Sequence, residues 1–415
     1  MTKKINNNLK TKLKLERDAK ILLLIAGLFT IALGLSNTFV NIFIWRIKQD
    51  FISIGYFNLF IHITTPLTFI LAGYLSKKKD GTIALRIGIF FHAIYFFLIL
   101  VLKNEAANYL ILLGSFLGIS AGFYWLAFHV LSFDLTNDMN RDTFNSYNGM
   151  ISSLSGMFAP ITAGFIISKM LKLTGYYLIF GISFAIFIII VVISLFLHTH
   201  KVGNDFKLLK TIKTCGKSCN AIILATLSFG IRNGVIMFLV NLLIFITLKS
   251  ELSIGKISLL GAFISVFSFQ IIERLMKPDR RKLFIWTGAI MMFFSVLALY
   301  LQISLITLII FTLVNSFFAP FFNVPFNSAS YNILDKTDKS NERIEFIIYK
   351  EISLNIGRII GIIAFIVLVK NSSTFENLKY ILLVIGSTQL AVPLLINYIN
   401  ADGKVIRNVH VYLTN

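Results

Sequence analysis

Twelve apolar runs, each of about twenty residues or more, follow one another along this chain with short polar connections between them. They cover residues 21–45, 53–76, 83–102, 108–133, 145–168, 175–197, 219–248, 254–276, 282–301, 303–331, 345–369 and 378–400. A helix of that length crosses the roughly 30 Å hydrocarbon core of a bilayer. Inside lipid every backbone N–H and C=O must find its partner within the protein, which makes such runs helices. Barrel strands would be about half as long and would alternate in polarity, and no stretch here does. Hydrophobic residues are 56% of the 415 and charged residues 14%, more apolar surface than a soluble domain buries. A soluble enzyme, a disordered tail and a nucleic-acid-binding module are therefore excluded.

The formal charge of +20 then belongs to loops rather than to nucleic-acid recognition. With the N-terminus inside, the inner segments hold about three times as many Lys and Arg as the outer ones. This predicts a multi-pass protein of the cell (plasma) membrane with both termini cytoplasmic and its basic loops on the anionic cytoplasmic leaflet. The abundance of Ile, Lys and Asn fits an AT-rich bacterial genome. The basic first twenty residues run straight into a full-length span, as a retained anchor does and a cleaved signal does not. They read as a solvated tail, the alternative being a surface helix on Leu9, Leu13 and Leu15. Cys215 and Cys219 enter span seven and are expected to be reduced and functionally neutral. His198 and His200 share their loop, but the lysine-bearing stretch between argues against a metal site.

The two halves repeat at an offset of about 200 residues. Gly34-Leu35-Ser36-Asn37 aligns with Gly230-Ile231-Arg232-Asn233, and Leu75, Lys77 and Gly88 align with Leu275, Lys277 and Gly288. The expected organisation is a basic cytoplasmic tail (1–20), a six-helix bundle (21–197), a basic cytoplasmic linker (198–218), a second six-helix bundle (219–400) and a cytoplasmic C-tail (401–415). The fold class is all-α integral membrane, with twelve transmembrane helices in two pseudo-symmetric six-helix bundles.

This layout resembles the major facilitator superfamily over residues 21–400. Gly73-Tyr74-Leu75-Ser76 matches the opening of that family's G-x-L-A-D-R-x-G-R-K loop, with Lys77 at the acidic position and Asp80 at the second glycine. Gly156-Met157-Phe158-Ala159-Pro160 and Gly164 are similar to its antiporter-type G-x-x-x-G-P-x-x-G-G pattern. Span four carries Gly114, Gly118 and Gly122 but lacks the arginine that proton-driven drug exporters of the family place there. The resemblance implies two six-helix halves, a site near the midplane and alternating access.

Polar groups at mid-depth are expensive in a bilayer and mark candidate sites. Arg232 lies in the middle of span seven beside Asn233, flanked by Gly230 and Gly234, a pair suited to close packing or local unwinding. Span eleven sets Glu351, Asn355 and Arg358 on one helical face, either as a fixed ion pair or as a site for substrate and proton. Asn37 and Asn41 in span one, Tyr124 and Trp125 in span four, and Asn323 in span ten complete the candidate substrate contacts. Glu351, His129 and Asp134 are the candidate proton carriers. Lys77, Asp80 and Arg141, with Pro160, Pro320 and Pro325, are the candidate conformational residues. Asp134 and Arg141 could form a latch, and the prolines could kink their helices.

No nucleotide-binding or metalloprotease motif appears, so neither ATP nor a cofactor is expected, nor enzymatic chemistry. The expected activity is secondary transport of a small organic solute, anionic or zwitterionic, coupled to protons, by a monomer. One alternative is a proton-coupled exporter of amphipathic compounds. Another is a lipid-handling or sensory protein on a transporter-like body.

Overall fold

The computed structural model describes residues 15–137, 139–198, 205–335, 342–371 and 377–397. Most of the basic N-terminal tail, Leu9 and Leu13 included, lies outside the described residues, as do His200 and the C-tail. Among the described residues, twelve helices are long and apolar enough to cross a membrane. They are α1 Arg17–Lys48, α2 Phe51–Lys78, α3 Gly81–Leu102, α4 Leu110–Asp134, α5 Arg141–Lys169 and α6 Thr174–Ser194, then α7 Lys217–Leu248, α8 Glu251–Leu275, α9 Arg281–Leu301, α10 Leu305–Asp335, α11 Arg343–Asn371 and α12 Asn377–Asn397. Each coincides with one apolar run to within a few residues at either end. A short linker helix, Leu208–Lys213, precedes α7.

The turns show how local chemistry starts and stops these helices. Gln49 closes α1 in the left-handed conformation, φ 51°, and its N–H returns to Trp45 O. Asp50 then caps α2, accepting from the backbone of Ile52 at 3.1 Å and Ser53 at 2.8 Å. The α7–α8 turn repeats this plan. Lys249 has φ 51°, and Ser250 Oγ accepts from Ser253 N. Positive φ also occurs after other helices, at Lys103 and Lys172, so what recurs at an offset of 200 residues is the left-handed residue followed by a side-chain cap.

The chain divides into two compact units, Met1–Phe206 with Met237–Phe263, and Lys207–Ile236 with Ile264–Asn415. In unit 1, glycines on α4 bring it against α2. A methyl group added at Gly114 would lie 2.5 Å from Phe57 O, and Gly118 and Gly122 meet the Ile61–Thr68 segment as closely. Thr64 and Thr65 hydroxyls donate to Ser115 O and Gly118 O across the same contact. Gly88 on α3 sits against the backbone of Tyr124 on α4. In unit 2 the corresponding glycine, Gly288 on α9, sits against Phe322 on α10. The repeat read from the sequence is therefore also a repeat of helix contacts.

One expectation is corrected. Cys215 and Cys219 are joined in a disulfide rather than free. Four residues apart at the entry to α7, their Cα atoms are 5.5 Å from each other, within the span a disulfide bridges. His198 pairs with Asp18, its Nδ1 3.0 Å from Oδ2.

Candidate functional site

Small residues on two helices build the polar site of unit 2. Gly230 and Gly234 on α7 face Gly357 and Gly361 on α11, each against the partner's backbone. A methyl group at Gly234 would lie 2.7 Å from Arg358 Cα. Backbones this close bring the polar residues beside the glycines together. Ser353 Oγ donates to Ile223 O at 2.7 Å across the same seam.

Two arginines result, in different situations. Arg358 Nε donates to Asn233 Oδ1 at 3.0 Å, and its Nη1 lies 3.5 Å from Asn355 Oδ1. Asn355, fully buried, donates to Glu351 Oε1 at 3.0 Å and to Glu351 O at 2.9 Å. The Arg358 and Glu351 side chains are 3.9 Å apart. The face predicted on span eleven is thus one network joined to α7 through Asn233. Arg232, 3% exposed, donates through Nη2 to Asn315 Oδ1 on α10 at 2.7 Å. Its Nε is buried without a partner. A guanidinium carries five donors and no acceptor, so Arg232 is charged, desolvated and incompletely matched.

On α10, Pro320 and Pro325 are buried inside a helix that runs unbroken from Leu305 to Asp335. Pro320 lacks the N–H that would bond Ser316 O. Ser265 Oγ on α8 supplies the missing donor at 2.9 Å. Asn323 is half-buried on the same helix, and Lys350 Nζ donates to Asn327 Oδ1 at 3.0 Å.

In unit 1 the predicted residues are dispersed. Tyr124 is buried with its ring stacked on Phe29, centroids 3.4 Å apart, and serves packing. Trp125 is 36% exposed and stands edge-on to Tyr124 and Phe29. His129 is exposed, its ring near those of Trp125 and Phe128. Asn37 is exposed on α1, while Asn41 accepts from Asn58 Nδ2 of α2 at 2.8 Å. Asp134 is exposed at the end of α4. Arg141 turns back onto that end, with Nε 3.2 Å from Thr136 Oγ1, Nη2 3.3 Å from Thr136 O and the guanidinium over Phe133. Lys77 and Asp80 are both buried. Asp80 caps α3 through Thr82 N and Thr82 Oγ1, and Lys77 Nζ donates to Asp205 O. Pro160 O on α5 lies against Gly255 of α8.

A further cluster in unit 1 went unread in the sequence. Glu251, at the start of α8, is 5% exposed and its Oε1 accepts from Arg46 Nη2 at 2.6 Å and from Tyr176 Oη at 2.7 Å. Tyr176 is fully buried, and Arg46 also lies over the Phe245 ring, 5.0 Å from its centroid. Gly164 on α5 admits the backbone of Glu251. The available signal was the repeat itself. After equivalent turns, an acid stands at the start of α8 where α2 begins with Phe51.

Twelve spanning helices with repeated helix contacts, a buried arginine half-way along α7 and a half-buried one half-way along α11 describe a membrane transport protein. The Major Facilitator Superfamily model matches residues 22–362, and the chain belongs to that family. It is 36% identical over 351 residues to the uncharacterized protein YqgE of Bacillus subtilis (strain 168), covering 84% of this chain and 82% of that one. Its fold is similar to that of a point mutant of the nucleoside transporter NupG, with TM-score 0.70 and 14% identity over 91% of this chain and 98% of that one. It is similar also to the human organic anion transporter MFSD10, with TM-score 0.65 and 14% identity over 92% and 99% of the two chains. At such identities these structures speak for the fold alone.

Proposed function

We propose that the chain is a secondary transporter that carries a small organic anion or zwitterion by alternating access, coupled to protons at Glu351, with its basic loops and both termini on the cytoplasmic side. The observation that carries this reading is Arg232. A guanidinium held by one amide and buried with an unmatched Nε is costly in an empty site, and an anionic group offsets that cost. Arg358 plays a different part. Asn233, Asn355 and Glu351 already surround it, and protonating Glu351 would remove the negative charge opposite it. That gives a proton a route to the α7–α11 seam.

Purified protein in proteoliposomes tests the proposal. Screening anionic and zwitterionic metabolites by thermal shift should find a ligand that stabilises wild type and leaves Arg232→Ala unmoved. The Glu351→Gln protein should bind that ligand yet lose uptake driven by a pH gradient. Undiminished gradient-driven uptake by Glu351→Gln removes Glu351 from the coupling.

A further inference from the structure

Unit 1 joins the six helices of the first repeat to Met237–Phe263, which is the end of α7, the start of α8 and the turn between them. Successive spans alternate in direction, so this hairpin lies on the same side as the α1–α2 and α5–α6 turns, the outer side in the proposed topology. Two kinds of contact hold it there. One is backbone packing. A methyl group at Gly164 on α5 would lie 2.5 Å from Glu251 O, and one at Gly255 on α8 would lie 2.6 Å from Ile161 Cα. The other is the carboxylate of Glu251, which reaches α1 through Arg46 and α6 through Tyr176. Arg46 also lies over Phe245 of α7.

Further along its length α5 loses this cover. Gly164 and Pro160, towards its outer end, are buried. Gly156, Ser153 and Gly149 follow on the same side, all within an arc of about 80°. Yet all three are exposed, and a methyl group on either glycine would meet nothing within 4 Å. Lipid does not account for that exposure. Met150, Leu154, Phe158 and Phe165 form the exposed apolar face of α5, about 120° further round the helix. A strip of glycine and serine off the lipid side of a spanning helix suits water. One side of α5 is therefore shut against α8 at the outer end and bare further in.

We infer that Glu251 is the latch of the outer closure. Its carboxylate, shared by Arg46 and Tyr176, holds the α7–α8 hairpin on α1, α5 and α6 in this state and lets go when the cycle turns over. The inference rests on the alternating-access reading and adds the residues that hold one of its two states. The contact is built to be made and broken. The glycines fit backbone to backbone with no interlocked side chain to withdraw. The Arg46 side chain is 41% exposed, so its half of the ion pair is close to water already. Tyr176, fully buried, is the part that only the closed arrangement satisfies, since its hydroxyl donates to Glu251.

The test is a set of spin-label distances in the full chain in phosphatidylcholine nanodiscs, with Cys215 and Cys219 replaced by alanine. One label pair, at Leu171 and Lys256, spans the closure, and a second, at Leu171 and Tyr109, lies within the first repeat; all three positions are exposed. Across the first pair, the ratio of open to closed should rise about tenfold in Tyr176→Phe, about thirtyfold in Glu251→Ala and no more than about fivefold in Arg46→Gln. The second pair should not move. Gly164→Leu, which wedges α5 from α8 and removes no charge, should open the first pair as well. If Gly164→Leu opens it and Glu251→Ala leaves it shut, the latch is overturned and alternating access stands. If neither opens it, both readings are overturned. Movement of both pairs in Glu251→Ala also overturns the latch, since Glu251 would then hold the first repeat together rather than close it.

Discussion

Removing the Glu251 carboxylate should destabilise unit 1, chiefly by stranding the hydroxyl of Tyr176. Glu251 Oε1 takes both Arg46 Nη2 and Tyr176 Oη, yet the two bonds differ in worth. The Arg46 side chain is 41% exposed, so its ion pair is screened and contributes about 0–1 kcal/mol. Tyr176 is fully buried and donates to a charged acceptor. Interhelical hydrogen bonds in membranes average about 0.6 kcal/mol and reach about 1.7. Burial and charge put this one at the upper end, about 1.5 kcal/mol. Glu251→Ala therefore costs about 2–3 kcal/mol, because it leaves the phenol buried without an acceptor. Tyr176→Phe alone should cost less. In the double variant no phenol is left to strand, so the two losses should not add, and the coupling should be about 1.5 kcal/mol. Reversible unfolding in mixed micelles of the four proteins measures it. Additivity within about 0.5 kcal/mol would refute the argument, since independent sites behave that way.

Other contacts lead to equally direct expectations. Gly357→Leu should lower thermal stability by more than a surface change does, because its new side chain meets the backbone of α7 at Gly230 and Leu227. Differential scanning fluorimetry in detergent reads that loss, and a wild-type melting temperature would contradict the seam. Ser265→Ala should cost about 1 kcal/mol, since Ser316 O has already lost its helical donor to Pro320. The same unfolding assay should find no such cost for an exposed threonine such as Thr162. Protein isolated without reductant should take up no thiol reagent at Cys215 or Cys219 until reduced, by intact mass. Alkylation of either residue before reduction would return both to the reduced state expected from their place in the sequence.

The twelve spans were legible because crossing a bilayer is a local demand. Length and apolarity satisfy it without reference to any other part of the chain. Gly230 and Gly234 were also legible as a close-packing pair, and Glu351, Asn355 and Arg358 as one face, since helical spacing is local too. What those groups touch was not. In the sequence Asn233 is legible as the neighbour of Arg232, and in the fold it is the acceptor for Arg358. Tyr124 looked deep enough to line a pocket, and its ring is spent on Phe29.

Sequence by itself therefore determined the number and length of the membrane-spanning helices, the repeat that relates them and the cost of every charge placed inside them. Tertiary structure decided which of those charges are matched. Partners such as Asn315 for Arg232 and Tyr176 for Glu251 lie far apart along the chain. Their meeting depends on the rotation and spacing of whole helices, set by where glycine does or does not keep two backbones apart.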